Sequence, residues 1–140
     1  MGIELPKDQE IRNAGLKVTL PRLKIMKILE DARDQHLSAE EIYKMLLDSG
    51  EDVGLATVYR VLTQFETAGL VKRHNFEGGY SVFELDQGEH HDHLVCIICN
   101  KIIEFIDESI EQRQKEIAKK AHFAMTDHSL TIYGKCKHCQ

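Results

Sequence analysis

A chain of 140 residues is long enough for one ordinary domain or for two small ones. Its hydrophobic fraction of 42% and charged fraction of 29% are those of a soluble globular protein and exclude disorder as the main state. A net charge of −5 excludes sequence-indifferent polyanion binding, which needs a strongly positive surface, but permits specific DNA binding through a local basic patch.

The first part of the chain is predicted to be helical. A short helix over residues 7–14 ends at Gly15, and Thr19 is placed to cap a second helix. Ser38 and Glu41 have the spacing of a capping box, which predicts the start of a third helix. The chain between the second and third helices is expected to be a loop.

A fourth helix and a hairpin follow. Residues 55–68 carry apolar side chains at spacings of three and four, and Gly69 is suited to follow the last turn. Extended segments at 70–76 and 80–85 flank a Glu-Gly-Gly sequence, which predicts a β-hairpin. Three helices, a recognition helix and a hairpin wing indicate a winged helix-turn-helix domain over residues 1–86.

The second part, residues 90–140, is predicted to be a small α/β domain. A polar stretch at about 86–89 is the candidate hinge between the two domains. Extended segments are expected at 90–96, 101–106 and 129–133, and a helix at about 107–121. Three apolar residues of that helix are expected to face a sheet: Ile110, Ile117 and Ala118. The fold class is therefore α+β.

Four cysteines form two CxxC pairs, Cys96 with Cys99 and Cys136 with Cys139. The sequence has no apolar run of membrane-spanning length and no secretory pattern, so we expect a cytoplasmic protein with no membrane partner. Thiols stay reduced in that compartment, and two such pairs are typical of a closed tetrahedral zinc site. A redox CxxC would need only one of the pairs.

The sequence His90-His91-Asp92-His93 immediately precedes the first CxxC. Side chains alternate across a strand, so His91 and His93 share one face while His90 and Asp92 share the other. One extended segment can therefore supply two ligands to each of two metal sites. Single carboxylates and histidines elsewhere are candidates for the remaining ligands: His36, Glu84, Glu104, Glu108, Glu111 and His128.

Three segments resemble the ferric uptake regulator family: Ala14–Arg22 (AGLKVTLPR), Ala56–Arg60 (ATVYR) and His90–Cys96 (HHDHLVC). The resemblance covers nearly the whole chain and implies a winged helix, a dimerisation domain, a four-cysteine zinc site and a sensory site joining the domains. It implies the sensory ligands His36, Glu84, His91, His93 and Glu104. It implies an additional metal site formed by His90, Asp92, Glu111 and His128. Asn100 departs from the glycine usual after CxxC.

The function expected from this resemblance is a metal-dependent repressor of iron-uptake genes. Fe²⁺ is the expected regulatory metal and Zn²⁺ the structural one, although Mn²⁺ or Zn²⁺ could occupy the imidazole and carboxylate donors. A zinc-, manganese- or peroxide-sensing relative is the alternative within the family. A metalloenzyme or a metal store are alternatives of other classes, but neither requires a winged helix.

The expected partner is an A/T-rich palindromic operator duplex, bound by a homodimer or a higher oligomer. Tyr59 and Arg60 lie on the exposed face of the fourth helix and are candidates for base contacts. Lys17, within an acid-free basic stretch, is expected at a phosphate or the minor groove, and Thr57 at a phosphate.

Overall fold

The structure is a computed structural model that describes residues 6–32, 35–86 and 90–140. The chain forms two compact units that divide between residues 87 and 88. The predicted hinge at 86–89 lies, except for Asp86, outside the described residues.

The described residues of the first unit form four helices and a hairpin. Its elements are α1 (Pro6–Asn13), α2 (Leu20–Asp31), α3 (Ala39–Asp48), α4 (Leu55–Thr67), β1 (Val71–Phe76) and β2 (Tyr80–Leu85). Helix α2 begins where the Thr19 hydroxyl accepts a hydrogen bond from the Arg22 backbone N–H at 3.4 Å. Helix α3 begins with the predicted capping box, in which Ser38 and Glu41 each accept from the other's backbone N–H.

The core of the first unit is a single apolar cluster. Every helix and both strands contribute to it, and α4 alone buries Val58, Val61, Leu62 and Phe65. These four side chains recur at spacings of three and four, so they form one stripe along the helix. The other face of α4, with Tyr59 and Arg60, is left exposed.

Strands β1 and β2 form the antiparallel hairpin of the wing. The turn uses Gly78 at φ 97° and Gly79 at φ 78°, a region that favours glycine. The pairing places Lys72 opposite Glu84 and His74 opposite Val82. A bridge between Leu37 and Phe83 joins the loop before α3 to the other side of β2.

The second unit contains β3 (Asp92–Cys96), β4 (Ile102–Phe105), α5 (Glu108–Lys120) and β5 (Thr131–Gly134). Its three-stranded sheet has the order β4-β3-β5, with β3 antiparallel to β4 and parallel to β5. The Asp107 carboxylate caps α5 by accepting from the Ile110 backbone N–H at 3.1 Å. The α+β fold class predicted from the sequence is confirmed.

The packing expected for α5 differs from what the structure shows. No residue of α5 is buried, and Ile117 is 54% exposed, so the prediction that it faces a sheet within its own chain is wrong. Leu94, Ile103 and Ile132, which are neighbours across the sheet, are also exposed. Both the helix and one sheet face of this unit therefore offer apolar surface that its own chain leaves uncovered.

Across the described ranges, no helix combines the length and the apolar character that crossing a membrane requires.

Candidate metal centres and nucleic-acid interface

The four cysteines converge at one end of the second unit. The first cysteine pair lies at the end of β3 and in the turn that follows it, and the second pair lies in the turn after β5. Strands β3 and β5 are neighbours in the sheet, so the two pairs meet. The four Sγ atoms lie within 4.8 Å of one another, with Cys99 and Cys136 at 3.8 Å. Tetrahedral thiolates at about 2.3 Å from a zinc ion are separated by about 3.8 Å. The cluster therefore fits a structural zinc ion.

The pKa values of two of the four thiols also favour a bound cation. Backbone N–H groups of Cys99 and Cys136 lower the pKa of Cys96 to about 6, because they donate to its sulfur. The neighbouring thiols, Cys136 first, raise the pKa of Cys139 to about 12. Four thiolates so close together cannot all ionise unless a bound cation compensates their charge.

The turn after the first CxxC explains how Asn100 can occupy a position that is usually glycine. Its backbone has φ 64°, and its N–H donates to the Cys96 carbonyl at 3.0 Å. Asparagine is among the few residues other than glycine that visit this left-handed region. The knuckle is therefore compatible with this substitution.

A second cluster combines His90, Asp92, Glu111 and His128, whose ligand atoms also lie within 4.8 Å of one another. His90 Nε2 lies 3.0 Å from Asp92 Oδ1, and His128 Nε2 lies 3.3 Å from Glu111 Oε1. Asp92 is fully buried, and its Oδ2 has no hydrogen-bond partner among the described residues. A buried carboxylate oxygen in that position fits a metal ligand, because leaving it unsatisfied is costly.

On the opposite face of β3, His91 and His93 both approach Glu104. His91 Nδ1 lies 3.3 Å from Glu104 Oε2, and His93 Nε2 lies 3.9 Å from the same oxygen. Glu104 stands directly opposite His93 in the β3–β4 register. These three predicted sensory ligands are thus brought together by the second unit alone.

The first unit brings together the other two predicted sensory ligands, His36 and Glu84, which form an ion pair. The Leu37–Phe83 bridge sets them side by side, since neighbours of an antiparallel bridge face each other. A residue that the sequence analysis missed, His74, also approaches Glu84, with Nε2 at 3.6 Å from Oε2. Burial opposes ionisation of Glu84, but its interactions with the imidazoles of His36 and His74 outweigh it and hold its pKa well below the ordinary value.

The candidate DNA-reading residues lie along α4. Arg60 is exposed and its Nη2 donates to Thr57 Oγ1 at 3.2 Å. The Tyr59 ring is 39% exposed, and its hydroxyl donates to Glu40 Oε2 at 2.5 Å. That hydrogen bond raises the pKa of Tyr59, with burial and the charge of Glu40 adding to the shift.

Lys17 lies in the loop before α2, where it is exposed. Arg22 connects this loop to α4, because its guanidinium donates to the Lys17 carbonyl at 2.7 Å and to Gln64 Oε1 at 2.9 Å. This two-sided contact holds the Lys17 backbone at a set position relative to the recognition helix.

A winged-helix unit followed by a unit bearing thiolate and imidazole–carboxylate clusters defines a class of protein, the metal-responsive DNA-binding regulator. The sequence profile of the Ferric uptake regulator family matches residues 13–133. The Legionella pneumophila ferric uptake regulation protein is 69% identical over 97% of this chain and 100% of its own length.

Two solved structures agree. The Vibrio cholerae ferric uptake regulator, described as showing structural rearrangement of its DNA-binding domains, superposes with a TM-score of 0.86 at 63% identity, covering 92% of this chain and 98% of its own. The Francisella tularensis ferric uptake regulator with iron gives a TM-score of 0.86 at 47% identity, covering 89% of this chain and 95% of its own. The chain belongs to the ferric uptake regulator family and is a metal-responsive transcriptional regulator.

Proposed function

We propose that this protein is an Fe²⁺-dependent repressor, not an enzyme, that acts in the cytoplasm as a homodimer on A/T-rich palindromic operators. The observation that carries the proposal is the grouping of imidazole and carboxylate donors in each unit: His36 with Glu84, and His91 with His93 and Glu104. By the family resemblance these donors form one sensory site.

The donor chemistry supports a labile divalent ion at the sensory site. Imidazole and carboxylate ligands without thiolate suit Fe²⁺, Mn²⁺ or Zn²⁺, whereas they do not suit Cu⁺. The Francisella tularensis relative binds iron, which favours Fe²⁺ here. The four cysteines would hold Zn²⁺, and the cluster of His90, Asp92, Glu111 and His128 would hold an additional divalent ion.

The proposed sensory ligands come from two units of the chain, and this is the basis of the proposed metal-dependent switch in DNA binding. A metal ion held by both sets of side chains would restrict how the units orient relative to each other. The filled state would then favour orientations in which both recognition helices of a dimer meet successive major-groove half-sites. Metal and operator should tighten each other's binding by the same factor, which we expect to be roughly 10- to 100-fold.

The exposed apolar face of the second unit supports the homodimer. Leu94 stands between Ile103 and Ile132 in the sheet register, and the three side chains are 38%, 45% and 45% exposed. Apolar side chains aligned across a sheet are stabilised when another surface covers them. A second copy of this unit provides such a surface in α5, where Ile117 is exposed.

DNA recognition would use α4 for bases and the preceding loops for phosphates. Arg60 can take a guanine in a bidentate way and Tyr59 can pack on a thymine methyl. Thr57 and Lys17 would contact phosphates or, for Lys17, the minor groove.

An anaerobic Fe²⁺ titration tests the switch, with binding to a palindromic duplex followed by fluorescence anisotropy. His36→Ala and Glu84→Ala should reduce the gain in DNA affinity on metal addition while leaving the zinc content and the dimer unchanged. Asn75→Ala, an exposed change on β1, is the control and should keep the full gain. Equal DNA affinity of the metal-free and metal-filled wild-type protein would refute the proposed mechanism.

A further inference from the structure

We propose that His74 is a further ligand of the sensory metal, so that the first unit alone carries a three-residue half-site formed by His36, His74 and Glu84. This inference rests on the proposed function, because it deepens the assignment of the same site. The wing-side half-site can then hold a divalent ion without ligands from the second unit.

The fold of the wing places the three side chains on one surface. In the β1–β2 register Lys72 faces Glu84 and His74 faces Val82, so His74 and Glu84 are diagonal neighbours on the same face of the hairpin. The Leu37–Phe83 bridge then sets His36 beside Glu84 from the other edge of β2. Backbone pairing on both sides of β2 thus arranges all three donors.

The spacing of His74 and Glu84 fits two ligands of one ion. A ligand atom of each of the three residues lies within 4.8 Å of the others, and His74 Nε2 is 3.6 Å from Glu84 Oε2. Nitrogen and oxygen ligands at about 2.0–2.2 Å from a common ion are separated by about 3–4 Å. The distance of 3.6 Å is therefore longer than a good hydrogen bond and typical of two ligands sharing an ion.

The imidazole of His74 is held in this position. Its side chain is 20% exposed, its ring lies parallel to Phe76 within 6° at 6.2 Å, and its centroid is 5.6 Å from that of His36. A ring that is already restrained by an aromatic neighbour loses little further conformational entropy when it binds a metal. Two imidazoles and one carboxylate also match the three-ligand protein sets of open metal sites.

The competing interpretation is that His74 only orients Glu84 through a hydrogen bond. Imidazole ¹⁵N NMR of the full chain separates the two, with the cysteines loaded with zinc and further Zn²⁺ added as a diamagnetic probe. His74→Gln and His36→Gln identify the two sets of ring signals. Coordination predicts that a ring nitrogen of His74 moves to a metal-bound shift together with that of His36. A His74 signal that keeps its metal-free pattern while His36 becomes metal-bound would overturn the inference.

Affinity measurements give a second test. His74→Ala should weaken Mn²⁺ or Fe²⁺ binding at the sensory site by at least about tenfold, whereas Asn75→Ala on the same strand should not. Circular dichroism before metal addition checks that both variants fold. Wild-type affinity in His74→Ala, with loss of affinity in His36→Ala, would overturn this inference alone. Wild-type affinity in both variants would overturn the proposed sensory site as well.

In the full chain carrying His91→Ala and His93→Ala, the half-site predicts that Zn²⁺ still shifts the ring signals of His36 and His74 at higher metal concentration. Loss of both responses, at concentrations that saturate the cluster containing His128, would show that the first unit holds no ion by itself and overturn the proposed half-site.

Discussion

The two units of this chain are stabilised in different ways. In the described part of the first unit, sixteen apolar side chains pack into one cluster that all its helices and strands share. In the second, the buried side chains in the described part are Val95, Cys96, Asp92 and His93, and α5 buries none. The first unit is thus stabilised by its own hydrophobic core. In the second unit, two of the few buried side chains are the candidate metal ligands Asp92 and His93.

This difference indicates that the second unit depends on what binds to it. A unit of some fifty residues buries too little apolar surface to be stable by itself, and structural metals and oligomerisation are the usual supplements. Its four-cysteine cluster and its uncovered sheet face fit those two supplements. Folding of this unit and its ability to sense metal are therefore expected to be linked.

The largest expected effect is loss of the structural zinc. Cys96→Ser or Cys136→Ser should unfold the second unit and dissociate the dimer, while the helices of the first unit persist, because zinc binding contributes about 10–16 kcal/mol to folding in small zinc domains. Zinc stoichiometry, mass in solution and backbone NMR measure the three quantities. A zinc-free variant that remained a stable dimer would show that the second unit does not depend on zinc.

The next effect concerns the uncovered sheet face. Leu94→Asp should shift the protein to monomer, since an interface carboxylate without a partner costs several kcal/mol, on the order of 10³-fold or more in the dimer dissociation constant. Asp48→Ala, an exposed change at the end of α3 in the first unit, is the control. Analytical ultracentrifugation gives the dissociation constants, and an undisturbed dimer in Leu94→Asp would place the interface elsewhere.

The core of the first unit can be tested with two adjacent leucines of α3. Leu46 is 2% exposed and Leu47 is 51% exposed. Leu46→Ala should lower the free energy of unfolding by about 2–5 kcal/mol, whereas Leu47→Ala should change it by about 0.5 kcal/mol or less. Urea titrations of the first unit's helical signal measure both. Equal losses would mean that burial does not govern stability here.

DNA recognition by the first unit should be sensitive to single side chains on α4. Arg60→Ala should cost about 1–3 kcal/mol of operator affinity and relax specificity at one base pair. Lys17→Ala should instead weaken binding to all sequences alike and reduce its salt dependence. Competition with specific and random duplexes distinguishes the two patterns. If Arg60→Ala bound both duplexes as the wild type does, α4 would not be the reading helix.

The smallest effect concerns the Tyr59 hydroxyl. Glu40→Gln removes a negative charge and a strong acceptor, so the pKa of Tyr59 should fall back towards its ordinary value. The phenolate is followed by ultraviolet absorption in a spectrophotometric titration. Because Tyr59 stays neutral near pH 7 whether or not its pKa is raised, operator affinity should change little. A Tyr59 titration identical in variant and wild type would exclude the Glu40 contact in solution.

Local patterns in the sequence were enough for most of the fold. Thr19 and the Ser38–Glu41 box mark helix starts through hydrogen bonds within one turn, and these contacts depend only on neighbours in the chain. The alternation of His90, His91, Asp92 and His93 predicted which pairs share a face, because strand geometry alone sets that parity. The CxxC spacing likewise set each pair of cysteines from local geometry, whereas the pairing of β3 with β5 brings the two pairs together.

Contacts between distant segments could not be obtained in this way. His36 meets Glu84 because Leu37 pairs with Phe83, and this pairing joins a loop to a strand some forty-five residues later. The Tyr59–Glu40 hydrogen bond depends on how α3 and α4 pack. Strand alternation applied to the hairpin would have placed His74 on the same face as Glu84. Its closeness to His36 could not be predicted in this way, because it depends on the Leu37–Phe83 bridge on the other side of β2.

The exposure of Ile117 shows the remaining limit of sequence reasoning. An apolar stripe on a helix predicts that the stripe is covered, since exposed apolar surface is unfavourable, but it does not say by which chain. The spacing within α5 therefore determined that a partner surface is needed. Only the tertiary structure, in which α5 buries no residue, decided that the chain does not supply that surface itself.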